Sequence, residues 1–172
     1  MVNQSSQGLP PHVAILQSLA RYSRGIDRRD RRMIESAYWP DAQDDHIAFV
    51  GSIPDFADWI LEHLRTSTAS SHFLGQSLIT VNGSRAEVET YYTAWTQFST
   101  PTGELLRMAI GRYLDQFEER EGEWRVLNRK VLLDIVRDTS RPLAEGTGNP
   151  PGPWAGRPSA DDASYTVLST LV

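Results

Sequence analysis

His72 is the leading candidate for a catalytic residue in this sequence, because of its residue type and its position on a predicted strand. The alternation of its predicted strand places Leu74 and Leu78 on the same face, so the imidazole should point toward a largely apolar interior. Imidazole is the side chain best suited to exchanging a proton near neutral pH. A histidine in this setting is either a core residue with satisfied hydrogen bonds or a general base, and the pattern leaves both interpretations open.

Arg129 is the second such residue, because a charge on an apolar strand face needs a reason to be there. The predicted face is otherwise formed by Leu127, Val131, Leu133 and Ile135. Burying a charge without a partner is expensive, so this guanidinium either pairs with a carboxylate or faces a ligand cavity. Arg112 shares a strand face with Met108 and Ile110 and poses the same question.

Other polar residues have simpler interpretations when taken alone. Asp27 lies in an arginine-rich run and is explained as a solvated charge, while Tyr22 belongs to the apolar stripe of a helix. Asp44 and His46 could converge on one strand face, but two ligands without a third make a poor metal site. The sequence has neither a glycine-rich phosphate loop nor a Gly-x-Ser-x-Gly elbow. We therefore expect no metal and no cofactor.

The composition limits the classes of function. The chain has 172 residues, a net charge of −5 and no cysteine, which excludes disulfides, thiol catalysis and cysteine-based zinc sites. The negative charge does not suit binding to nucleic acid or an anionic membrane. No apolar run approaches the length of a membrane span, and the N-terminal residues do not resemble a signal peptide. We expect a cytoplasmic protein that binds neither nucleic acid nor membrane.

The elements that must position these residues follow from the periodicity. Ile15, Leu19, Tyr22 and Ile26 form a helical stripe, a second helix is predicted over 31–38, and Ser52 is expected to cap a third. Strands are predicted over 44–50, 72–81, 85–98, 104–119 and 124–136, the second and third joined by Asn82-Gly83. Helices followed by a strand meander indicate an α+β fold. The domain is predicted to span residues 1–138, followed by a tail rich in proline and glycine at 139–172.

The chain resembles the SnoaL-like family of the nuclear transport factor 2-like superfamily over about residues 10–138. The resemblance is carried by the segments 21–30, 38–42, 71–75, 111–113 and 117–125. It implies a cone-shaped barrel in which a curved, mainly antiparallel sheet and three helices in the N-terminal half enclose an apolar pocket.

Within that family the chain is similar to scytalone dehydratase, hexachlorocyclohexane dehydrochlorinase and bile-acid 7α-dehydratase. The resemblance implies a catalytic pair of His72 and Asp27, assisted by Arg129 and Tyr22. The implied activity is a cofactor-independent lyase that eliminates water or a halide from a small cyclic hydrophobic substrate. A double-bond isomerase is the alternative enzyme, and a ligand-binding cone or dioxygenase β-subunit-like protein is the non-catalytic alternative. A homotrimer is expected, or otherwise a dimer, with residues 140–172 packed on the body or on a neighbouring subunit.

Overall fold

The computed structural model describes residues 8–142 and 155–168, and its first elements are helices. Helix α1 (Pro11–Arg28) begins with a proline, which fits a first turn because no intrahelical partner is needed for its missing N–H. The predicted stripe is confirmed, since all four of its residues are buried. After Arg29 adopts a left-handed conformation, the Asp30 side chain accepts from the Met33 N–H and caps α2 (Arg31–Ser36).

The sheet has six strands in the order β2-β1-β6-β5-β4-β3. They are β1 (Tyr38–Asp45), β2 (Val50–Ser52), β3 (Ser67–Asn82), β4 (Arg85–Thr100), β5 (Gly103–Arg120) and β6 (Glu123–Arg141), and helix α3 (Ile53–His63) follows β2. Among these six strands of the described residues, only the β1–β6 pair is parallel. The sheet is curved but not closed by hydrogen bonds, because β2 and β3 are its edges. The predicted α+β class and meander are confirmed.

The prediction was wrong around β1. The second helix does not reach residue 38, because Tyr38 already belongs to β1, and the predicted strand over 44–50 is interrupted. His46 donates its backbone N–H to the Phe49 carbonyl at 2.7 Å, and Ile47 has a positive φ of 66°, so the chain reverses here. Val50 then starts β2, which pairs antiparallel with β1.

A β-bulge in β3 decides which side chains face the interior. The pairing with β4 shifts between Leu74 and Ser77, which reverses the alternation beyond that point. Leu78 is therefore 72% exposed, which contradicts its predicted place on the face of His72. Ser77 faces inward instead, with its hydroxyl 2.9 Å from that of Thr90.

The core lies between the helices and the inner face of the sheet and is filled by aromatic side chains. Its largest members are fully buried: Tyr22, Tyr38, Tyr113, Phe56 and Phe117. None of the helices in the part of the chain that the structure describes is long and apolar enough to cross a membrane.

The second described segment, residues 155–168, lies against the C-terminal half of α1 and includes the short helix α4 (Ser164–Val167). We call this segment the strap. Tyr165 donates its hydroxyl to Asp30 at 2.8 Å, and Arg28 lies 3.4 Å from an oxygen of Asp162. Residues 143–154 and 169–172 were also predicted to pack on the body or on a neighbouring subunit, but they lie outside the described residues.

Candidate active site

The structure brings His72 and Asp27 together. Asp27 lies in the last turn of α1 and His72 in the first half of β3, with His72 Nδ1 2.7 Å from Asp27 Oδ1. The backbone N–H of His72 donates to Asp27 Oδ2 at 2.9 Å, and the Ser70 hydroxyl donates to Oδ1 at 3.0 Å. The two side chains are 11% and 13% exposed, so they are shielded but not sealed from solvent.

Electrostatics keep this carboxyl group ionised. Burial by itself would raise the pKa of Asp27, but the hydrogen bond and positive charge of His72, with the hydrogen bond from Ser70, outweigh it and lower the pKa. When the ring of His72 is neutral, an ionised Asp27 favours the tautomer that donates Nδ1–H to it, and Nε2 is then the basic nitrogen. The pair thus has the arrangement that a general base requires.

A cavity of about 440 Å³ lies beside the pair, between α1 and the edge strand β3. Both His72 and Asp27 line it. Its apolar wall consists of Leu16, Leu19, Ala20 and Leu74, and its other polar lining consists of Ser23, Arg24, Arg28 and Ser77. The volume falls within the range of small-molecule sites, so an apolar ring of modest size fits beside the imidazole.

Arg129 is placed elsewhere, in the closed core. Its Nε and Nη2 each donate to an oxygen of Asp115 at 2.7 Å, and Nη1 donates to the Tyr38 hydroxyl at 3.0 Å. The side chains of Arg129 and Asp115 are both 0% exposed. Burial would lower the pKa of Arg129, but attraction to Asp115 outweighs it and the pKa is raised. Of the two possibilities for this guanidinium, the structure shows the carboxylate pair.

Tyr22 lies with Arg129 and not with the His72–Asp27 pair. Its ring centroid is 4.2 Å from the Arg129 guanidinium carbon and 5.6 Å from the centroid of the Tyr113 ring. Burial raises its pKa well above the ordinary value. Neither Tyr22 nor Arg129 lines the cavity beside His72. Of the four residues that the resemblance implies, the structure brings His72 and Asp27 together and places Arg129 and Tyr22 apart from them.

The remaining polar candidates are also paired. Arg112 lies on the outer sheet face, where it binds both oxygens of Asp134 at 3.1 Å and Glu89 at 2.9 Å. Asp44 and His46 do converge, with Nδ1 3.1 Å from Oδ1, and Asp44 also accepts from Tyr38. Within residues 8–142 and 155–168, no group of three or more metal-ligating side chains is arranged to hold an ion.

Sequence reasoning missed two residues of the site. Ser70 supports the carboxylate of Asp27, and Arg24 forms part of the cavity wall. The spacing in the sequence could have indicated both. Ser70 is two residues before His72 and therefore lies on the same strand face. Arg24 is three residues before Asp27 and therefore lies on the same helix face.

The family model of the SnoaL-like domain matches residues 9–130 of the chain. The chain belongs to the SnoaL-like family. No curated protein matches this family member significantly in sequence.

Solved structures share the fold of this SnoaL-like protein. A candidate scytalone dehydratase from Novosphingobium aromaticivorans is 18% identical with a TM-score of 0.65, and 80% of this chain and 94% of that one are covered. A hexachlorocyclohexane dehydrochlorinase from Novosphingobium barchaimii is 17% identical with a TM-score of 0.63, covering 81% and 94%. A Mycobacterium tuberculosis protein of unknown function is 21% identical with a TM-score of 0.62, covering 93% and 85%. At these identities the likeness establishes the fold.

Proposed function

We propose that this SnoaL-like protein is a cofactor-independent lyase that eliminates water or a halide from a small cyclic substrate. The observation that carries the proposal is the 2.7 Å hydrogen bond between His72 Nδ1 and Asp27 Oδ1 at the wall of a cavity. Two of the solved structures with this fold are described as a candidate dehydratase and a dehydrochlorinase, and both names denote eliminations. That agreement supports the reaction class.

In the proposed reaction His72 Nε2 takes a proton from a substrate carbon. The electrons of that C–H bond form the new double bond, and the leaving group departs from the adjacent carbon with its own bonding pair. Asp27 stabilises the imidazolium that forms and holds the ring in the required tautomer, as the carboxylate does in hydrolytic triads. Ser70 and the His72 backbone N–H keep the carboxylate in place. The imidazolium then releases its proton to the leaving group or to water.

The test compares wild-type protein with His72→Ala on a panel of cyclic β-hydroxy ketones and halogenated cyclohexanes, following water loss by mass and halide release by electrode. A positioned base contributes on the order of 10²–10⁴ in rate, so we expect a loss of at least that size. His12→Ala is the matched control, because His12 is exposed on α1 outside the cavity, and it should leave the rate unchanged.

Three outcomes would contradict the proposal. A His72→Ala rate within about tenfold of wild type would remove the histidine from the mechanism. Activity lost on adding EDTA would indicate a metal. Double-bond migration without loss of a group would indicate an isomerase that uses the same base.

We also propose that the protein assembles as a homotrimer, as the family resemblance implies. Phe73 and Trp95 lie on the outer face of the sheet and are exposed in the single chain, which supports an interface there.

A further inference from the structure

Arg24 has an unusual environment at the wall of the cavity beside His72. Its Nη1 donates to the Ser164 hydroxyl at 3.0 Å, and its guanidinium carbon lies 4.8 Å from the centroid of the Tyr165 ring. Its other two nitrogens, Nε and Nη2, are buried and have no hydrogen-bond partner among the described residues. The strap therefore holds one end of the guanidinium and leaves two donors unsatisfied.

Those two nitrogens form the edge with which arginine binds a carboxylate through two parallel hydrogen bonds. Three other arginines of this protein use that edge in this way: Arg107 with Asp138, Arg112 with Asp134, and Arg129 with Asp115, at distances of 2.7–3.1 Å. Arg24 presents the same edge without a carboxylate from the described residues.

The charges around the cavity do not supply one. Arg28 is paired with Asp162, whose oxygens also accept from the Ser164 hydroxyl and the Arg157 N–H. Both oxygens of Asp27 already accept hydrogen bonds, from His72 and Ser70. Two arginines line the cavity, Arg24 and Arg28. Arg28 has a carboxylate partner, whereas Arg24 has none in the described part of the chain.

We propose that Arg24 binds a carboxylate group of the substrate, so that the protein acts on a small cyclic acid. This inference rests on the proposed function, because it takes the cavity beside His72 as the substrate site. The ring would lie on Leu16, Leu19 and Leu74, and the carboxylate would reach the Nε–Nη2 edge. This edge is buried beside Ser164 and Tyr165. The proposal therefore requires the Arg24 side chain to rotate away from α4, so that the edge turns toward the cavity.

The test measures binding by calorimetry at low salt and pH 7, without turnover. The probes are cyclohexanecarboxylate, its neutral analogue cyclohexanecarboxamide, and inorganic phosphate. A hydrogen-bonded charge pair at a shielded site is worth about tenfold or more in affinity. We expect wild-type protein to bind the carboxylate at least that much more tightly than the amide, and Arg24→Gln to lose the difference while binding the amide unchanged.

Two further variants keep the result interpretable. Arg32→Gln removes the same charge from an exposed position outside the cavity and should bind like wild type. Arg24→Lys retains the charge but loses the two-nitrogen edge, so it should recover only part of the affinity. Circular dichroism and thermal unfolding establish that each variant is folded, and Arg24→Lys replaces Arg24→Gln if the latter is not.

Several results would overturn the inference. These are failure of the carboxylate to bind wild type, equal affinity for carboxylate and amide, and equal losses in Arg24→Gln and Arg32→Gln. Phosphate binding more tightly than the carboxylate in an Arg24-dependent manner would replace the carboxylic acid with a phosphate ester.

The same measurements separate this inference from the proposed function. His72→Ala should bind the carboxylate like wild type, because the imidazole does not hold that group. Arg24-dependent binding without any elimination would contradict only the proposed function. Elimination from a carboxylate-bearing ring, such as a β-hydroxycyclohexanecarboxylate, with a KM that is unchanged in Arg24→Gln would contradict only the role of Arg24.

Discussion

Replacing Arg129 with methionine should strongly lower the free energy of unfolding. The family resemblance implies a catalytic role for this residue, but its contacts predict a structural one. The variant leaves Asp115 as an unpaired carboxylate in the closed core, where the wild-type pair is fully buried. Removing one partner of a buried ion pair costs about 3–5 kcal/mol. The Tyr38 hydroxyl is not orphaned, because it also donates to Asp44 at 2.7 Å, so the cost arises mainly at Asp115. Against a total stability of about 5–15 kcal/mol this is a severe loss.

The protein contains its own control for this measurement. Arg107 and Asp138 form the same two-bonded pair at 2.8 and 2.7 Å, but their side chains are 40% and 39% exposed. Arg107→Met should therefore cost less than about 1 kcal/mol. The double variant Arg129→Met/Asp115→Leu removes both buried charges and should recover most of the stability that Arg129→Met alone loses.

The assay is urea unfolding followed by tryptophan fluorescence at pH 7 for wild type and the three variants. Equal costs for Arg129→Met and Arg107→Met would refute the reasoning, because burial would then have no effect on the energy of the pair. A double variant no more stable than Arg129→Met would refute the assignment of the loss to the abandoned carboxylate.

Three shorter predictions concern packing, pH and assembly. Gly25→Ala should destabilise the protein by about 1–3 kcal/mol in thermal unfolding, despite the helix preference of alanine, because the added Cβ would lie 2.6 Å from the Ile34 backbone nitrogen; an unchanged melting temperature would contradict this. Burial would raise the pKa of Asp162, but hydrogen bonds from Ser164 and Arg157 and the charge of Arg28 lower it to about 2. Its stabilising contribution is therefore present above the unfolded pKa of about 4 and lost as the pH falls toward 2. The protection of strap amides from hydrogen exchange, corrected for the pH dependence of the intrinsic rate, should fall over that interval in wild type but stay constant in Asp162→Asn. Light scattering should give three times the 19.3 kDa mass of one chain, and Trp95→Glu should lower that mass; a wild-type monomer would contradict the trimer.

The sequence alone was sufficient to predict the helices, strands and turns whose conformation depends on residues close by in the chain. The apolar stripe of α1 recurs at helical spacing, and Ser52 accepts from the Asp55 N–H at the start of α3 as its residue type predicts. The long strands follow from alternation and from turns such as Asn82-Gly83. These features depend on backbone preferences and side-chain period within a few residues, and such information is present in any short stretch of sequence.

The tertiary structure decided which polar groups meet. Asp27 and His72 are 45 positions apart, and their contact was inferred only from the family resemblance. The register of β5 against β6 places Asp115 opposite Arg129, and that pairing determines that the guanidinium is buried in an ion pair. The bulge between Leu74 and Ser77 in β3 likewise reversed the side on which Leu78 lies. Strand register and helix docking are set by the packing of the whole core, so no local pattern can specify the partner of a side chain that lies far along the chain.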